Sequence, residues 1–359
     1  MVSGGSIGLN EACKIFFGDT TLRSVPLGSG NINDTWLVTA GEKRTVLQRI
    51  NGSIFRNPEN VIANFRKVTE HINGQLQAGD FDFICPDLVL TREGQPAYCD
   101  SKGQWWRAQT YIDHVSPPAS GIDSQSAYQL GRALATYHHL VSDLEPDSLT
   151  EVLPDFHNTS RYLSEFDAVC AKVARSGVDV PADCFHFVNS YRSQVETLEL
   201  GYAQGILTNR VIHGDPKLDN VIFVKSGVAS GLFDLDTVGS GLLQHDLGDC
   251  LRSACNRRGE YSDPNSVRFD CDICRSLLKG YGESCLTPLK IHDKRYIFDG
   301  VFTICFELGL RFLTDHLRGD VYFKVAERGD NLLKCRVQFA LAKSILAQEQ
   351  EIRSLAVAL

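Results

Sequence analysis

Hydrophobic and polar residues follow two different patterns along the chain. In the first 110 residues, short runs of β-branched and aromatic residues alternate with small polar turns, and helical spacing is confined to residues 10–17 and 57–76. A period of two indicates strands, whereas a period near 3.6 indicates helices. The helical period begins after residue 124 with Ala127, Leu130, Leu134, Tyr137 and Leu140. The sequence therefore predicts an α+β protein with a β-rich N-terminal lobe and a helical C-terminal lobe.

The same patterns predict the individual elements. Strands are predicted at residues 25–38 (two strands around a small-residue turn), 45–50, 81–100 and 106–114. Helices are predicted after an N-cap at Ser124, at residues 166–175 and 182–199, from residue 244, and at residues 270–281, 289–317 (as one helix or two) and 332–355. A Pro-containing loop at residues 115–121 lies where the pattern changes, so we expect the connection between the lobes there.

Residues 211–236 combine short apolar runs with a cluster of polar side chains, which predicts a hairpin presenting a polar loop. The loop contains His213, Asp215 and Asn220 with the spacing H-x-D-x4-N, and Asp234 ends the following apolar run. This order is that of the catalytic loop and the metal-binding aspartate of kinases. A polar hairpin with solvated carboxylates is the alternative, but it does not call for an aspartate at the end of the next strand. The stretch therefore favours phosphoryl transfer.

Each of these residue types has a role in such chemistry. Asp215 can accept the proton of an attacking hydroxyl, whereas Asn220 and Asp234 offer hard oxygen ligands to Mg²⁺. Lys217 can neutralise charge on the moving phosphoryl group. His213 would brace the loop through hydrogen bonds rather than take part in the chemistry.

The N-terminal lobe contains candidates for nucleotide binding. Between its first two strands, small residues would let backbone N–H groups approach phosphates closely at Gly28, Ser29, Gly30 and Asn31. An ordinary hairpin turn is the alternative. On the third strand either Gln48 or Arg49 faces the cleft, and a phosphate contact favours the cation Arg49. Its acidic partner would be Glu59 or Glu70 on the following helix.

The end of the last N-terminal strand is the expected adenine site. Backbone N–H and C=O groups flanked by apolar side chains bind such a ring well. The candidates are Tyr111, Ile112 and Asp113, and a simple edge strand is the alternative. Together with the phosphate loop and the metal ligands, they make ATP and Mg²⁺ the expected cofactors.

Composition and charge exclude several other classes of protein. The 359 residues are 43% hydrophobic, which suffices for a large core, and the formal net charge is −8. We find no basic run with interleaved aromatic residues, so a nucleic-acid partner is not expected. No basic segment followed by an apolar run begins the chain, and no apolar stretch reaches the ~18 residues of a membrane span. We therefore expect a soluble, cytoplasmic protein without a membrane partner.

Twelve cysteines are scattered along the chain, as expected of reduced thiols in a core rather than of a secreted disulfide framework. Only Cys271 and Cys274 have the close spacing of a zinc knuckle, whereas Cys250 and Cys255 fall in a predicted helix. Core thiols are thus favoured over a structural zinc site.

The motifs HGDPKLDN and FDLD resemble those of the aminoglycoside phosphotransferase and choline kinase superfamily of small-molecule kinases. Over nearly its whole length, the chain is similar to bacterial N-acetylhexosamine 1-kinases, through GSGNINDTWLV, VLQRINGSIF, FDLDTVGSGLLQHDLGDCLR and ELGLRFLTDHLRGDVYF. The resemblance implies a bilobal, protein-kinase-like fold, with a nucleotide-binding lobe at residues 1–110, a hinge at 111–121 and a helical lobe at 122–359. It also implies ATP- and Mg²⁺-dependent phosphorylation of the anomeric hydroxyl of GlcNAc or GalNAc.

The same resemblance implies individual roles. Asp215 would take the proton from the sugar O1, Asn220 and Asp234 would hold Mg²⁺, and Arg311 and Tyr322 would contact the sugar. Gly214, Pro216 and Asp219 differ from the sugar-kinase pattern, which leaves room for a changed acceptor preference.

Three functions remain open from the sequence. The first, which we favour, is a sugar 1-kinase. The segment from residue 307 to 336 mixes positive and negative charges, which favours a neutral sugar over a cationic acceptor. The second function is a kinase of the same fold acting on an amino alcohol, a homoserine-like acceptor or another sugar. The third is a non-catalytic nucleotide-binding scaffold, against which the presence of all the catalytic residues argues. The oligomeric state is not predicted.

Overall fold

The computed structural model describes residues 7–18, 22–28, 32–117, 121–175, 180–224 and 228–359. Its N-terminal part is an antiparallel sheet with strand order β1-β2-β3-β6-β4, and the short β5 also pairs with β6. Two helices accompany the sheet. The elements are α1 (Ile7–Phe17), β1 (Leu22–Pro26), β2 (Asp34–Ala40), β3 (Lys43–Arg49), α2 (Pro58–Ala78), β4 (Leu88–Val89), β5 (Tyr98–Cys99) and β6 (Trp105–Thr110).

The two faces of this sheet have different partners. On one face, Leu47 and Trp106 pack with the apolar side of α1 in a small hydrophobic cluster. Because successive side chains of a strand point to opposite faces, Gln48 and Arg107 face the other way. There the Arg107 guanidinium lies 4.6 Å from the ring centroid of Phe65 on α2. Strand alternation thus decides which residues of β3 and β6 approach the helical lobe.

The rest of the chain is mostly helical, and the mixed α+β fold predicted from the sequence is confirmed. Two short antiparallel ribbons, β7 with β10 and β8 with β9, lie among the helices. The elements are α3 (Ser124–Leu140), α4 (Thr159–Arg175), α5 (Ala182–Tyr191), α6 (Thr197–Ala203), β7 (Arg210–Ile212), β8 (Val221–Phe223), β9 (Ala229–Leu232), β10 (Gly239–Gly241), α7 (Leu243–Ala254), α8 (Cys271–Ser284), α9 (Ile291–Arg295), α10 (Ile297–Arg318), α11 (Asp330–Ala347) and α12 (Glu349–Val357).

Close helix packing fixes the helices around the ribbons. Helix α10 packs against α4, α7 and α11, and α3 packs against α8. A Cβ atom on Gly248 of α7 would lie 2.6 Å from the carbonyl oxygen of Gly300 on α10, so only glycine allows this approach. A Cβ on Gly131 of α3 would lie 2.0 Å from the carbonyl oxygen of Leu277 on α8. Helix α7, which directly follows the ribbon of β7 and β10, is therefore held tightly against α10.

Several element boundaries differ from the predictions. The N-cap of α3 is Asp123 rather than Ser124, because the Asp123 carboxylate accepts a hydrogen bond of 2.8 Å from the backbone N–H of Ser126. The predicted helices at residues 182–199, 289–317 and 332–355 are each divided into two. The lobe boundary at residues 111–121 stays a prediction, although β6 ends at Thr110 and α3 begins at Ser124.

The polar loop also connects strands that do not pair with each other. Val221–Phe223 pairs with Ala229–Leu232, whereas Arg210–Ile212 pairs with Gly239–Gly241. A Cβ on Gly241 would lie 2.4 Å from Cδ1 of Ile212, so the glycine-rich strand makes this close pairing possible. The loop therefore joins two ribbons instead of closing one hairpin.

All twelve cysteines are free thiols. Among the described residues, no group of three or more His, Cys, Asp or Glu side chains could hold a metal ion. Within the same residues, no helix has the length and apolar character needed to cross a membrane.

Candidate active site

A buried carboxylate holds the backbone of the catalytic loop. Asp246, in the first turn of α7, accepts hydrogen bonds from the N–H groups of His213 (2.7 Å) and Gly214 (2.8 Å). Its carboxylate also lies 2.9 Å from Nε2 of His138 on α3. Burial alone would raise the pKa of Asp246, but these hydrogen bonds and the neighbouring histidines lower it. Asp246 is therefore an anion that fixes the start of the loop.

His213 lies where a bracing role requires it. Its Nε2–H donates to the carbonyl oxygen of Phe233 at 2.7 Å, and its Nδ1 accepts from the N–H of Asp215 at 3.3 Å. Burial lowers the pKa of His213, so the imidazole is neutral in this tautomer. The ring thus links the catalytic loop to the segment that carries Asp234.

Asp215, Lys217 and Asn220 form one hydrogen-bonded group. The Lys217 ammonium contacts the Asp215 carboxylate. The amide Nδ2 of Asn220 donates to the carbonyl oxygen of Asp215 at 2.8 Å and to its Oδ2 at 3.1 Å. Burial would raise the pKa of Asp215, but the charge and hydrogen bond of Lys217 lower it. The carboxylate is therefore ionised and can accept a proton, while Oδ1 of Asn220 is free of these donor contacts.

Asp234 lies close to two other carboxylates, those of Asp215 and Asp236. It adopts the left-handed conformation with φ 55°, and its neighbour Phe233 donates to the carbonyl oxygen of Asn220 at 2.7 Å. Desolvation within the cleft, followed by the charge of Asp236, raises the pKa of Asp234, although the residue stays exposed to solvent where it lines the cleft. Asn220, directly before β8, and Asp234, shortly after β9, each have a side-chain oxygen that could hold a metal ion. This fits Mg²⁺, which commonly takes one or two protein ligands and completes its shell with water and phosphate oxygens.

Arg49, the predicted phosphate contact, faces away from the cleft. Arg49 lies on the α1 face of the sheet, pairs with Asp34, and is 5.9 Å from the Trp106 ring centroid, so the structure does not bring it into the cleft. Gln48 lines the cleft instead. By strand alternation Gln48 is the residue of β3 that faces the cleft, and a phosphate contact by Arg49 stays a prediction.

Arg107 on β6 is the buried cation that the sequence analysis missed. It donates to Oε1 of Gln48 through Nε (3.1 Å) and Nη2 (2.8 Å), and it forms an ion pair with Asp236. Its side chain is 1% exposed and that of Asp236 is 3% exposed. Neither Glu59 nor Glu70 takes part, since both are exposed on α2. A lone arginine among the apolar residues of WWRAQT is the sequence signal that indicates a buried cation at Arg107.

Substitution Asp236→Asn is expected to destabilise the protein by about 3–5 kcal/mol, because it leaves the buried Arg107 charge without a counter-ion. Urea unfolding measures the effect. The matched control is Asp167→Asn, which breaks a more exposed pair with Arg192 and should cost at most about 1 kcal/mol. Equal losses in the two variants would contradict the assignment of Arg107 and Asp236 as a buried, mutually dependent ion pair.

The loop between β1 and β2 is attached to the same ion pair. Asn33 donates to Oδ2 of Asp236 at 2.5 Å and accepts from the N–H of Asn51 at 2.9 Å. Gly28 has φ 70° and lines the cleft. The other predicted phosphate-loop residues, Ser29, Gly30 and Asn31, lie outside the described residues. The cleft has a volume of about 760 Å³, and its walls include Gly28, Asn33, Gln48, Asp215, Lys217, Asn220, Asp234 and Asp236.

The predicted adenine site lies beside this cleft rather than in its wall. The cleft is lined by His114, Ser116 and Pro117, which directly follow the predicted residues Tyr111, Ile112 and Asp113. The side chains of Tyr111 and Asp113 turn toward Arg44. The carbonyl oxygen of Ile112 accepts from Nδ1 of His114 at 3.0 Å. Nucleotide binding by this backbone stays a prediction.

Arg311 and Tyr322 are brought together, as the resemblance implied. Nη2 of Arg311 donates to the Tyr322 hydroxyl at 3.3 Å. No other hydrogen bond from the Arg311 guanidinium forms within the described part of the chain. The segment after α10 approaches the start of β2, where Lys324 lies 3.6 Å from Asp34. The Tyr322 segment therefore extends from Arg311 toward the start of β2, on the N-terminal part of the chain.

Comparison with known proteins places these motifs in a family. The Phosphotransferase enzyme family (APH) matches residues 24–281, which include the sheet, the catalytic loop and Asp234. The chain belongs to this family.

The fold of this family member is shared with solved kinases. A microcompartment-associated aminopropanol kinase has a TM-score of 0.64 at 15% identity, over 97% of this chain and 98% of that chain. Choline kinase from Cryptosporidium parvum Iowa II has a TM-score of 0.63 at 11% identity, over 98% and 97% of the two chains. An aminoglycoside phosphotransferase from Alicyclobacillus acidocaldarius has a TM-score of 0.64 at 15% identity, over 98% and 96%. The fold is therefore the protein-kinase-like fold of the aminoglycoside phosphotransferases and choline kinases.

Proposed function

We propose that this phosphotransferase is an ATP- and Mg²⁺-dependent kinase that phosphorylates the anomeric hydroxyl of an N-acetylhexosamine. The observation that carries the proposal is the grouping of Asp215, Asn220 and Asp234 in one cleft. The contact between Arg311 and Tyr322, on the segment that approaches the start of β2, supports the choice of acceptor. The related structures are named as kinases of aminopropanol and choline and as an aminoglycoside phosphotransferase, and all of these acceptors carry hydroxyl groups.

The residues of the cleft have distinct tasks in this reaction. Asp215 accepts the proton of the acceptor hydroxyl as the oxygen attacks the terminal phosphoryl group. Lys217 and Asn220 keep the carboxylate in place before the acceptor arrives. Asn220 and Asp234 would hold Mg²⁺, which supplies charge neutralisation on the phosphate oxygens.

The surroundings of Arg311 favour a neutral acceptor. Burial would lower the pKa of Arg311, but Tyr162, Tyr322 and Glu307 raise it, so the guanidinium is ionised. A guanidinium with open N–H groups suits the oxygens of a sugar or its amide carbonyl. It would repel an ammonium group in the same place.

An amino-alcohol acceptor is the second candidate because aromatic rings could form a cage for a cation. The guanidinium of Arg311 already occupies that cage, however. Its central carbon lies 5.1–5.6 Å from four ring centroids, those of Phe156, Tyr162, Tyr322 and Phe323. This occupancy ranks the amino alcohol below the sugar.

The test is ADP release with ATP and Mg²⁺ across a panel of GlcNAc, GalNAc, glucose, galactose, choline, homoserine and an aminoglycoside. We expect turnover of the N-acetylhexosamines, with other acceptors at least about tenfold slower because each lost hydrogen bond to Arg311 leaves a buried donor unpaired. Faster turnover of choline or the aminoglycoside would retain the kinase chemistry but overturn the sugar assignment. ATP binding without turnover of any compound would favour a non-catalytic scaffold.

A further inference from the structure

A line of buried polar contacts connects the catalytic loop to Arg311. His157 lies between the two, with Nε2 at 2.9 Å from the carbonyl oxygen of Gly214 and Nδ1 at 3.0 Å from Oε1 of Glu307. The other carboxylate oxygen of Glu307 accepts from the Thr159 hydroxyl at 3.0 Å. The side chains of His157 and Glu307 are only 6% and 2% exposed. Water therefore cannot readily replace any of these partners.

The partners of His157 determine where its protons are. A carbonyl oxygen can only accept a hydrogen bond, so Nε2 must carry a proton. Glu307 is a carboxylate, so Nδ1 must also carry a proton for the second hydrogen bond to form. The structure therefore contains a buried imidazolium–carboxylate pair, since a neutral histidine would direct a lone pair at the carboxylate.

Glu307 also acts on Arg311, which lies one helical turn farther along α10. Nη1 of Arg311 is 4.0 Å from Oε1 of Glu307, the oxygen that His157 already contacts. The left-handed backbone of His157, with φ 61°, and of Asp155, also with φ 61°, brings the intervening Phe156 ring against the Arg311 guanidinium. Such strained conformations persist where the surrounding contacts require them.

We propose that His157 and Glu307 are positioning residues that fix Arg311 relative to Asp215 and thereby select the acceptor hydroxyl that meets the base. The inference rests on the proposed function, because it gives Arg311 the task of binding the acceptor. A displacement of about 1 Å at a reacting group can cost about 100-fold in rate, so a rigid link between the two sites has a direct effect on turnover. The route is short, since Gly214 directly precedes Asp215 in the chain.

The charge of this pair gives it a characteristic pH dependence. The groups facing His157 are Glu307 and Arg311 from α10, His245 from α7 (ring centroids 4.8 Å apart) and the Gly214 carbonyl. Burial would lower the pKa of His157, but Glu307 raises it above the ordinary value of 6.5. The imidazolium is therefore present below the raised pKa and is lost as the pH rises through it. We expect the KM for the acceptor to increase on that alkaline side while the KM for ATP stays constant.

The test compares Glu307→Gln with the parent protein. Glutamine keeps the shape but cannot hold the imidazolium, so we expect the acceptor KM to increase about 10- to 100-fold and the KM for ATP to change less than about twofold. Its acceptor KM should also lose the alkaline pH dependence. The matched control is Asp299→Asn, which removes another buried carboxylate of α10, one that pairs with Arg353 instead of with His157. This control should leave both KM values unchanged.

The outcomes separate this inference from the proposed function. Parent turnover of an N-acetylhexosamine, with equal acceptor KM values in Glu307→Gln and Asp299→Asn, would overturn the inference alone. If another panel compound is the true acceptor, the proposed sugar specificity fails and the same comparison is made with that compound. If Glu307→Gln does not fold, Thr159→Val weakens only one contact of Glu307 and should raise the acceptor KM in the same direction. A flat acceptor KM across the alkaline range in the parent protein also contradicts the inference.

Discussion

The Asp215→Asn variant should bind ATP like the parent protein but turn over at least about 10³-fold more slowly, because it loses the proton acceptor of the reaction. Asparagine has nearly the same shape as aspartate, and its carbonyl oxygen can still accept from Lys217 and Asn220. The loss therefore reports chemistry rather than collapse of the loop. Turnover is measured by ADP release and ATP affinity by calorimetry.

A matched control lies on the same loop. Asp219 is exposed and stands outside the group formed by Asp215, Lys217 and Asn220. Asp219→Asn changes the charge of the loop by the same amount, and its rate should remain within a few-fold of the parent. An Asp215→Asn variant as fast as this control would remove Asp215 from the role of base.

The Asp234→Asn variant should lose Mg²⁺-dependent nucleotide binding and at least about 10³-fold in turnover, since it removes the one carboxylate among the proposed metal ligands. Titration of the nucleotide with and without Mg²⁺ measures this effect. Asp315→Asn is a suitable comparison, because this buried carboxylate holds the backbone of Tyr322 and does not contact Asp234. Nucleotide affinity that still depends on Mg²⁺ in Asp234→Asn would place the metal elsewhere.

Although Asp234→Asn should lower activity, it should stabilise the folded protein in the absence of metal. The pKa of Asp234 is raised from 3.8 to about 7, so the folded protein binds this proton more tightly than the unfolded chain does. Stability from this group is therefore fully present below pH 3.8 and falls as the pH rises toward 7. At pH 7 without metal, Asp234→Asn should melt at a slightly higher temperature than the parent, and the gain is small because solvent screens the charge of this exposed side chain. Mg²⁺ with ATP should raise the melting temperature of the parent but not that of the variant.

The sequence was sufficient for the fold class and for the centre of the site because these depend on local patterns. The change from period two to period 3.6 marks the two parts of the structure. The spacing of Asp215, Asn220 and Asp234 places them in one cleft once the flanking segments form strands. Local spacing alone carried this information.

The remaining features depend on contacts between distant segments. Arg107 and Asp236 are 129 residues apart, and His157 and Glu307 are 150 residues apart. Neither pair has a local signature, because each member is only one charged residue within an apolar element. The orientation of Gln48 and Arg49 has a related cause: the packing of β3 against α1 decides which of the two side chains faces the cleft, and this packing has no local signature in the sequence.

The most direct test is the structure of the product formed from GlcNAc, ATP and Mg²⁺, determined by ³¹P–¹H correlation NMR. The proposed function expects a phosphorus signal coupled to H1 of the sugar, and no such signal with Asp215→Asn. A phosphorus signal coupled to any other sugar proton would contradict it. So would a panel in which GlcNAc and GalNAc stay unphosphorylated while another acceptor is phosphorylated.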